Sequence, residues 1–294
     1  MTFRIQPHVR LQEWVAEEHG YFREAGLDYE FEDSLAGGSV TTSSIKTTDD
    51  VPPEFISGAF EDMQKGRSCD ISAACHWAVN ASATVSGGRM WGKAYSVCPA
   101  GIFVAPESGH RRPEDLAGVP VGVGYHSGSH YSAIQGLEPY LERPQIELSF
   151  IGLPYDRVRL MLERKVAAAN VFGPQYYVLE QQGFRKLVDT TFMMGFLVSE
   201  ESSTDDVAKY FEALRHAQRD IDLEPERYKH YWLREMPEDI QALVDVRRFG
   251  PGERIVTEPY TREMFEQTHR WMRAWDLLDP GAQTRPGYDQ AVLA

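Results

Sequence analysis

The segment Val119-Pro120-Val121-Gly122-Val123-Gly124-Tyr125-His126-Ser127-Gly128-Ser129-His130-Tyr131 constrains this chain most. A short apolar run empties there into a Gly/Ser/His loop at the point where a helix begins. Strand, loop and helix start in that order aim backbone N–H groups and the positive end of a helix dipole at whatever sits above the loop, a ready place for an anionic group. Gly122, Gly124 and Gly128 approximate a dinucleotide-binding turn. The third glycine comes one place late, however, and no strand with a ribose-holding acid follows, so no nicotinamide or flavin cofactor is expected.

Similar units flank this one. Residues 2–5 read as a strand, 12–22 as a helix and 26–31 as a half-exposed strand, giving β-α-β at the start. A long polar loop is expected over 35–53, a helix over 55–65 with Gly66 as its stop, and a small-residue strand behind it ending at Cys75. Further strands are expected over 101–105, from Val119, and over 147–151, 167–172 and near Leu187, with helices over 129–141, 156–165 and 174–182. This alternation predicts an α/β protein with mostly parallel sheets. From Thr204 onward the pattern turns helical, and Phe211, Leu214, Tyr228, Trp232, Leu243, Met264, Trp271 and Trp275 have the spacing of core residues.

At 294 residues the chain fits one two-lobed unit or two small domains. Its 44 acidic against 30 basic residues, a net charge of -14, disfavour nucleic acid or an anionic membrane surface and favour a small-molecule partner. No apolar run approaches the roughly 18 residues of a membrane span. Cys69, Cys75 and Cys98 are an odd set without metal-type pairing, as expected of reduced thiols. No basic segment and apolar core open the sequence, so for a complete chain the expectation is a cytoplasmic protein without a transporter partner.

The turn His19-Gly20-Tyr21-Phe22-Arg23-Glu24-Ala25-Gly26-Leu27-Asp28, the element Gly66-Arg67-Ser68-Cys69-Asp70-Ile71 and the element Pro113-Glu114-Asp115-Leu116-Ala117-Gly118-Val119-Pro120-Val121-Gly122-Val123 together resemble the NMT1/THI5-like branch of the substrate-binding proteins. The resemblance covers most of residues 1–200. It implies a periplasmic-binding-protein-like type II fold, two α/β lobes joined by two crossovers with ligand in the cleft between them. With crossovers near 98–101 and 195–197, lobe one comprises 1–98 with 196–294, and lobe two 99–195. Members include receptors for transporters, pyrimidine synthases of thiamine biosynthesis, an aromatic desulfinase and, more distantly, a dihydroxyphthalate decarboxylase. The synthases' cysteine-rich motif has no counterpart here. Where the desulfinase carries its cysteine after the first strand, this chain has Pro7-His8-Val9, while His8 and Arg10 resemble the decarboxylase's His-x-Arg pair.

In such a fold ligands meet the C-terminal ends of strands. The candidate ligand-binding residues are therefore His8 and Arg10 after the first strand, Trp77, then Ser127, Gly128, Ser129 and Tyr131 in the glycine loop, and Asn170, Phe172 and Gln175. Arg10 suits a carboxylate or sulfonate bidentately. Cys75, His76, His126 and His130 are the candidates for chemistry. Cys75 and His76 are adjacent on a strand pattern and point apart, which makes them a poor nucleophile–base couple. His126 and His130 have helical metal-ligand spacing but no third ligand, so no metal is expected. Three functions follow: a binder of a small anionic, possibly aromatic, ligand; a cofactor-independent lyase or hydrolase in the same cleft; and a sensor whose closure signals to another protein.

Overall fold

Short β-rich runs separated by glycine turns form two sheets. The structure, a computed structural model, describes residues 2–8, 10–32, 69–84, 88–278 and 287–294. The loop expected over 35–53, the helix over 55–65 and Gly66 lie outside them. The strands are β1 (Phe3–Ile5), β2 (Tyr29–Phe31), β3 (Ile71–Cys75), β4 (Gly88–Trp91), β5 (Tyr95–Cys98), β6 (Ala100–Val104) and β7 (Val121–Val123). They continue with β8 (Leu148–Phe150), β9 (Ala168–Phe172), β10 (Arg185–Asp189), β11 (Phe192–Ser199), β12 (Arg254–Val256) and β13 (Val292–Leu293). The longer helices are α1 (Gln12–His19), α2 (His76–Ser82), α3 (Gly128–Leu137), α4 (Pro154–Leu162), α5 (Pro174–Gln181), α6 (Thr204–Leu223) and α7 (Arg262–Ala274).

The eight-stranded sheet runs β12-β5-β11-β3-β1-β2, with β4 and β13 continuing from β11, and so draws on both ends of the chain. The five-stranded sheet, β10-β6-β9-β7-β8, is built from the middle. The chain passes between sheets at Pro99, and again between Asp189 and Phe192. The pairings β1 with β2 and β3, and β7 with β8 and β9, are parallel as the β-α-β pattern requires. Contrary to the mostly parallel expectation, β11 pairs antiparallel with β3, β4 and β5, and β6 with β9 and β10. At the crossovers β5 and β6 run on past Pro99 while β10 and β11 return alongside them in one register, Gly101 opposite Asp189 and Cys98 opposite Phe192, so the outgoing and returning chain pair antiparallel.

α6 binds the C-terminal third to the first sheet. Ser203 caps it by accepting from the Asp206 N–H, Asp205 and Asp206 complement the dipole of its first turn, and Val207, Tyr210, Phe211, Leu214 and Ile221 form its buried face. Of the aromatic and aliphatic residues expected in the core, Phe211, Leu214, Tyr228 and Trp232 are buried. Leu243 is not, at 45% exposure. Trp271 and Trp275 are half-buried because they reach across to the other sheet: Glu138 accepts from both indole N–H groups, at 3.0 and 2.9 Å. Arg143 completes this bridge, donating to the Ala274 carbonyl at 2.9 Å and lying 4.9 Å over the Trp275 ring.

Candidate functional site

β3 ends at Cys75 in extended backbone, and α2 starts at His76, which sets His76 and Trp77 at the edge of the first sheet. β7 ends at Val123, and the 124–127 turn leads into α3, which sets His126, His130 and Tyr131 at the edge of the second. The two edges meet. Trp77 stacks on Tyr131 with ring centres 5.6 Å apart, His76 lies 4.0 Å from Trp77, and His130 lies 5.4 Å from Tyr131 and 5.8 Å from His126. Phe192, the first residue after the second crossover, contacts both Trp77 and Phe172. Thus His76, Trp77, His126, Gly128, His130, Tyr131 and Phe172, scattered over a hundred residues of sequence, form one cluster at the boundary between the sheets.

The protonation states in this cluster follow from burial. With no charge nearby to offset desolvation, the His76 imidazole is pushed down to about 3. Burial, and then the neighbouring His126, push His130 down as well. Both rings are neutral at physiological pH. His130 Nδ1 accepts from the His126 N–H at 3.3 Å, so its Nε2 carries the proton and is a neutral donor. His76 Nδ1 is buried without a hydrogen-bond partner among the described residues. The Cys75 thiol is pushed up to about 12 by burial, which outweighs the backbone N–H groups of Ala78 and Trp77. A thiol so held is not a nucleophile near neutral pH.

The turn before α3 satisfies most of its own polar groups. Ser127 Oγ donates to the Gly124 carbonyl at 2.8 Å, and Ser129 Oγ accepts from the Gly124 N–H at 2.9 Å. The N–H groups of His130 and Tyr131 close on the Ser127 carbonyl, leaving those of Gly128 and Ser129 as the first-turn donors of α3 among the described residues. His126 has φ 41°, a left-handed conformation that a non-glycine residue adopts at a cost of about 1–2 kcal/mol. Gly128 makes room for protein and not for ligand: a Cβ there would collide with the Phe192 ring. A larger residue at 128 therefore disturbs the packing between the sheets before it meets any bound molecule.

Other sequence candidates lie elsewhere or are committed to the fold. Arg10 is buried under 2% exposure, and its guanidinium is bound by Glu13, by Glu253 at 2.8 Å and by Tyr210 at 3.3 Å. It stacks 4.9 Å over Phe196. His8 approaches the same Glu253 at 3.4 Å, and Ser96 donates to it. Burial alone would raise the Glu253 carboxyl, but Arg10 with His8 and Ser96 holds it at about 2. Asn170 is consumed in pinning α3 to β9: its amide donates to the Ser129 carbonyl and to Ser132 Oγ, and its oxygen accepts from Thr190, all at 2.8 Å. Gln175 is buried in the first turn of α5.

One charged group at the site was absent from the sequence candidates. Arg157, in the first turn of α4, is 1% exposed. Its Nη1 donates to the Gly152 carbonyl at 2.9 Å, and lies 3.1 Å from where a Gly124 Cβ would sit, beside Ser127.

No family model matches the sequence, and no curated protein does. Solved structures do. The alkanesulfonate-binding protein SsuA from Xanthomonas axonopodis pv. citri, bound to MOPS, superposes with a TM-score of 0.72 at 17% identity, over 99% of this chain and 98% of that one. The periplasmic aliphatic sulphonate binding protein SsuA from Escherichia coli gives 0.69 at 16% identity, over 100% and 92%. The desulfurization enzyme DSZB gives 0.58 at 15% identity, over 99% and 96%. A Candida albicans gene product described as exhibiting the generic periplasmic binding protein structural fold gives 0.68 at 12% identity, over 100% and 96%. At these identities the likeness speaks for the fold, and it extends over the whole chain: this protein has the two-lobed α/β fold of the periplasmic binding proteins.

Proposed function

We propose that the protein is a receptor that closes its two lobes on a small organic oxyanion, and that sulfonates are the first class to which it answers. The lobes are the two sheets with their helices, divided at the two crossovers. What carries the reading is the meeting of Trp77 and Tyr131, one from each sheet, directly beside the donor-rich start of α3. Trp77 and Tyr131 are buried against each other, so lobe opening would free their faces for a ligand's organic part, while helix N–H groups and the neutral Nε2–H of His130 suit an oxyanion. The names of the sulfonate-binding proteins of like fold point the same way.

Binding and catalysis separate on protonation. Neutral, buried His76 and His130 and an un-ionised Cys75 suit hydrogen bonding to a ligand better than proton transfer or thiolate attack. The expected result is that an organic sulfonate such as MOPS or methanesulfonate raises the melting temperature and is recovered unchanged after long incubation. At about a hundred times its dissociation constant it adds about 2.7 kcal/mol of stability. Failure of sulfonates, sulfinates and carboxylates alike to stabilise the protein would overturn the receptor reading. Recovery of a cleaved product would replace it with the lyase or hydrolase alternative.

A further inference from the structure

We propose that Arg157 is the anchor for the ligand's charged head: the edge of its guanidinium formed by Nε and Nη2 takes two oxygens of a sulfonate or similar oxyanion beside the 124–127 turn. This rests on the receptor reading and adds to it a residue that fixes the charge of what is bound.

The geometry of the guanidinium carries the inference. Nε and Nη2 are buried, and neither has a hydrogen-bond partner among the described residues. They are adjacent on one side of the planar group, the arrangement that grips two oxygens of one anion at once. The third nitrogen, Nη1, is fixed by the Gly152 carbonyl, so the plane is already oriented. The nearest carboxylate in sequence, Asp156, is committed elsewhere: it accepts from the Leu153 N–H at 2.9 Å and from Arg159 at 3.1 Å. A buried arginine without a carboxylate costs stability unless something else supplies the negative charge. Arg10 shows how this chain treats an arginine that serves only the fold, surrounding it with Glu13 and Glu253. Arg157 has only the neighbouring Asp156 at a distance, and no carboxylate bonds its Nε or Nη2 among the described residues.

Its position is that of a ligand group. The loops after β7 and β8, the parallel strands of the second sheet, hold Gly124 and Gly152, and Arg157 lies between them at the strands' C-terminal ends. Ser127 Oγ and Arg157 Nη1 both lie about 3 Å from the space that Gly124 leaves by lacking a Cβ, at 2.9 and 3.1 Å. Residues 124–127 are only half-buried, and α3, whose first-turn donors face the same turn, follows directly.

The test compares melting temperatures of the parent, R157M and R157K in sodium methanesulfonate, sodium sulfate and sodium chloride at equal ionic strength. Chloride controls for general salt effects. The parent is expected to gain in methanesulfonate over chloride. R157M should lose that gain, its affinity falling tenfold or more, while melting in chloride at or above the parent, because a charge without a partner has been removed. R157K keeps the charge without the two-nitrogen edge and should retain only part of the gain. If R157M melts well below the parent in chloride, R157K decides: a reduced gain at parent-like stability supports the anchor, and a full gain overturns it. Equal gains in parent and R157M overturn the anchor and leave the receptor reading standing. A gain in sulfate that needs Arg157, with none from any organic sulfonate, sulfinate or carboxylate, supports the anchor and overturns that reading. No gain from either anion in the parent overturns the anchor, and the receptor reading falls with it when sulfinates and carboxylates fail as well.

Discussion

Replacing Arg10 with Met costs this protein about 3–5 kcal/mol, the range found when one partner of a buried ion pair is removed. The charge lies at the junction of the chain's two ends. Glu13 on α1, Tyr210 on α6, Glu253 before β12 and Ser96 on β5 all converge on it or its partners. Gln12 extends the junction, donating to Gln218 at 2.8 Å and to the Glu253 carbonyl at 2.6 Å. Without Arg10, Glu13 loses its countercharge and Glu253 keeps only His8 and Ser96. Both must then take up protons or draw in water, and the N-terminal segment loses its hold on α6 and β12. Chemical denaturation at pH 7 measures the effect, and a loss under about 1 kcal/mol would show that the carboxylates find other partners. A double variant that also replaces Glu253 with Gln recovers part of the loss, because it removes one of the stranded charges.

Acid destabilises the protein well before its carboxylates titrate. A histidine in the unfolded chain takes up a proton near pH 6.5, but burial holds folded His76 neutral down to about 3. Between these values the unfolded state binds one more proton than the folded one, so stability falls as the pH falls. The contribution is fully present above pH 6.5 and is wholly lost once the pH passes the folded value. The slope for one proton is about 1.4 kcal/mol per pH unit, so His76 alone removes about 2 kcal/mol between pH 6.5 and 5. His130, lowered for the same reason, acts in the same direction. Glu253 adds a lower limb. Its stabilisation is present above the ordinary carboxylate value of about 4.5 and is lost as the pH falls towards 2. Denaturation free energies from pH 8 to 4 give the slope, and H76N should flatten the limb below 6.5 by one proton. A profile level from pH 7 to 5 would mean that the cluster admits water or charge in the folded state.

The order of elements was legible because β6, β7 and β9 are apolar runs bounded by glycine or proline, and because the pattern turns to helical spacing from Thr204, where α6 begins. The short strands β12 and β13, of three and two residues, were not, since their pairing is set by β5 and β4 and not by any pattern of their own. Antiparallel pairing at the crossovers has no local signature either. At the site, position at strand ends selected Trp77, His126, His130 and Tyr131, which do come together, but the same rule also selected Asn170 and Arg10. Residue type cannot reveal whether a polar group is already satisfied by the protein. Arg10 carried one clue, Glu13 three residues later on the same helical face. Arg157 reads as one more charge on a helix rich in charge. Its signal lay in register: Leu160 and Met161, three and four residues on, are buried, so an arginine occupies the apolar face of α4.

Ligand capture between the two sheets is tested most directly by a crystal structure grown with the sulfonate that stabilises the protein most. The expected electron density has the oxyanion beside the 124–129 turn and the organic part against Trp77 and Tyr131, contacting residues from both sheets. Density for the sulfonate on any other surface, with the Trp77–Tyr131 stack closed and nothing beside it, would contradict that placement.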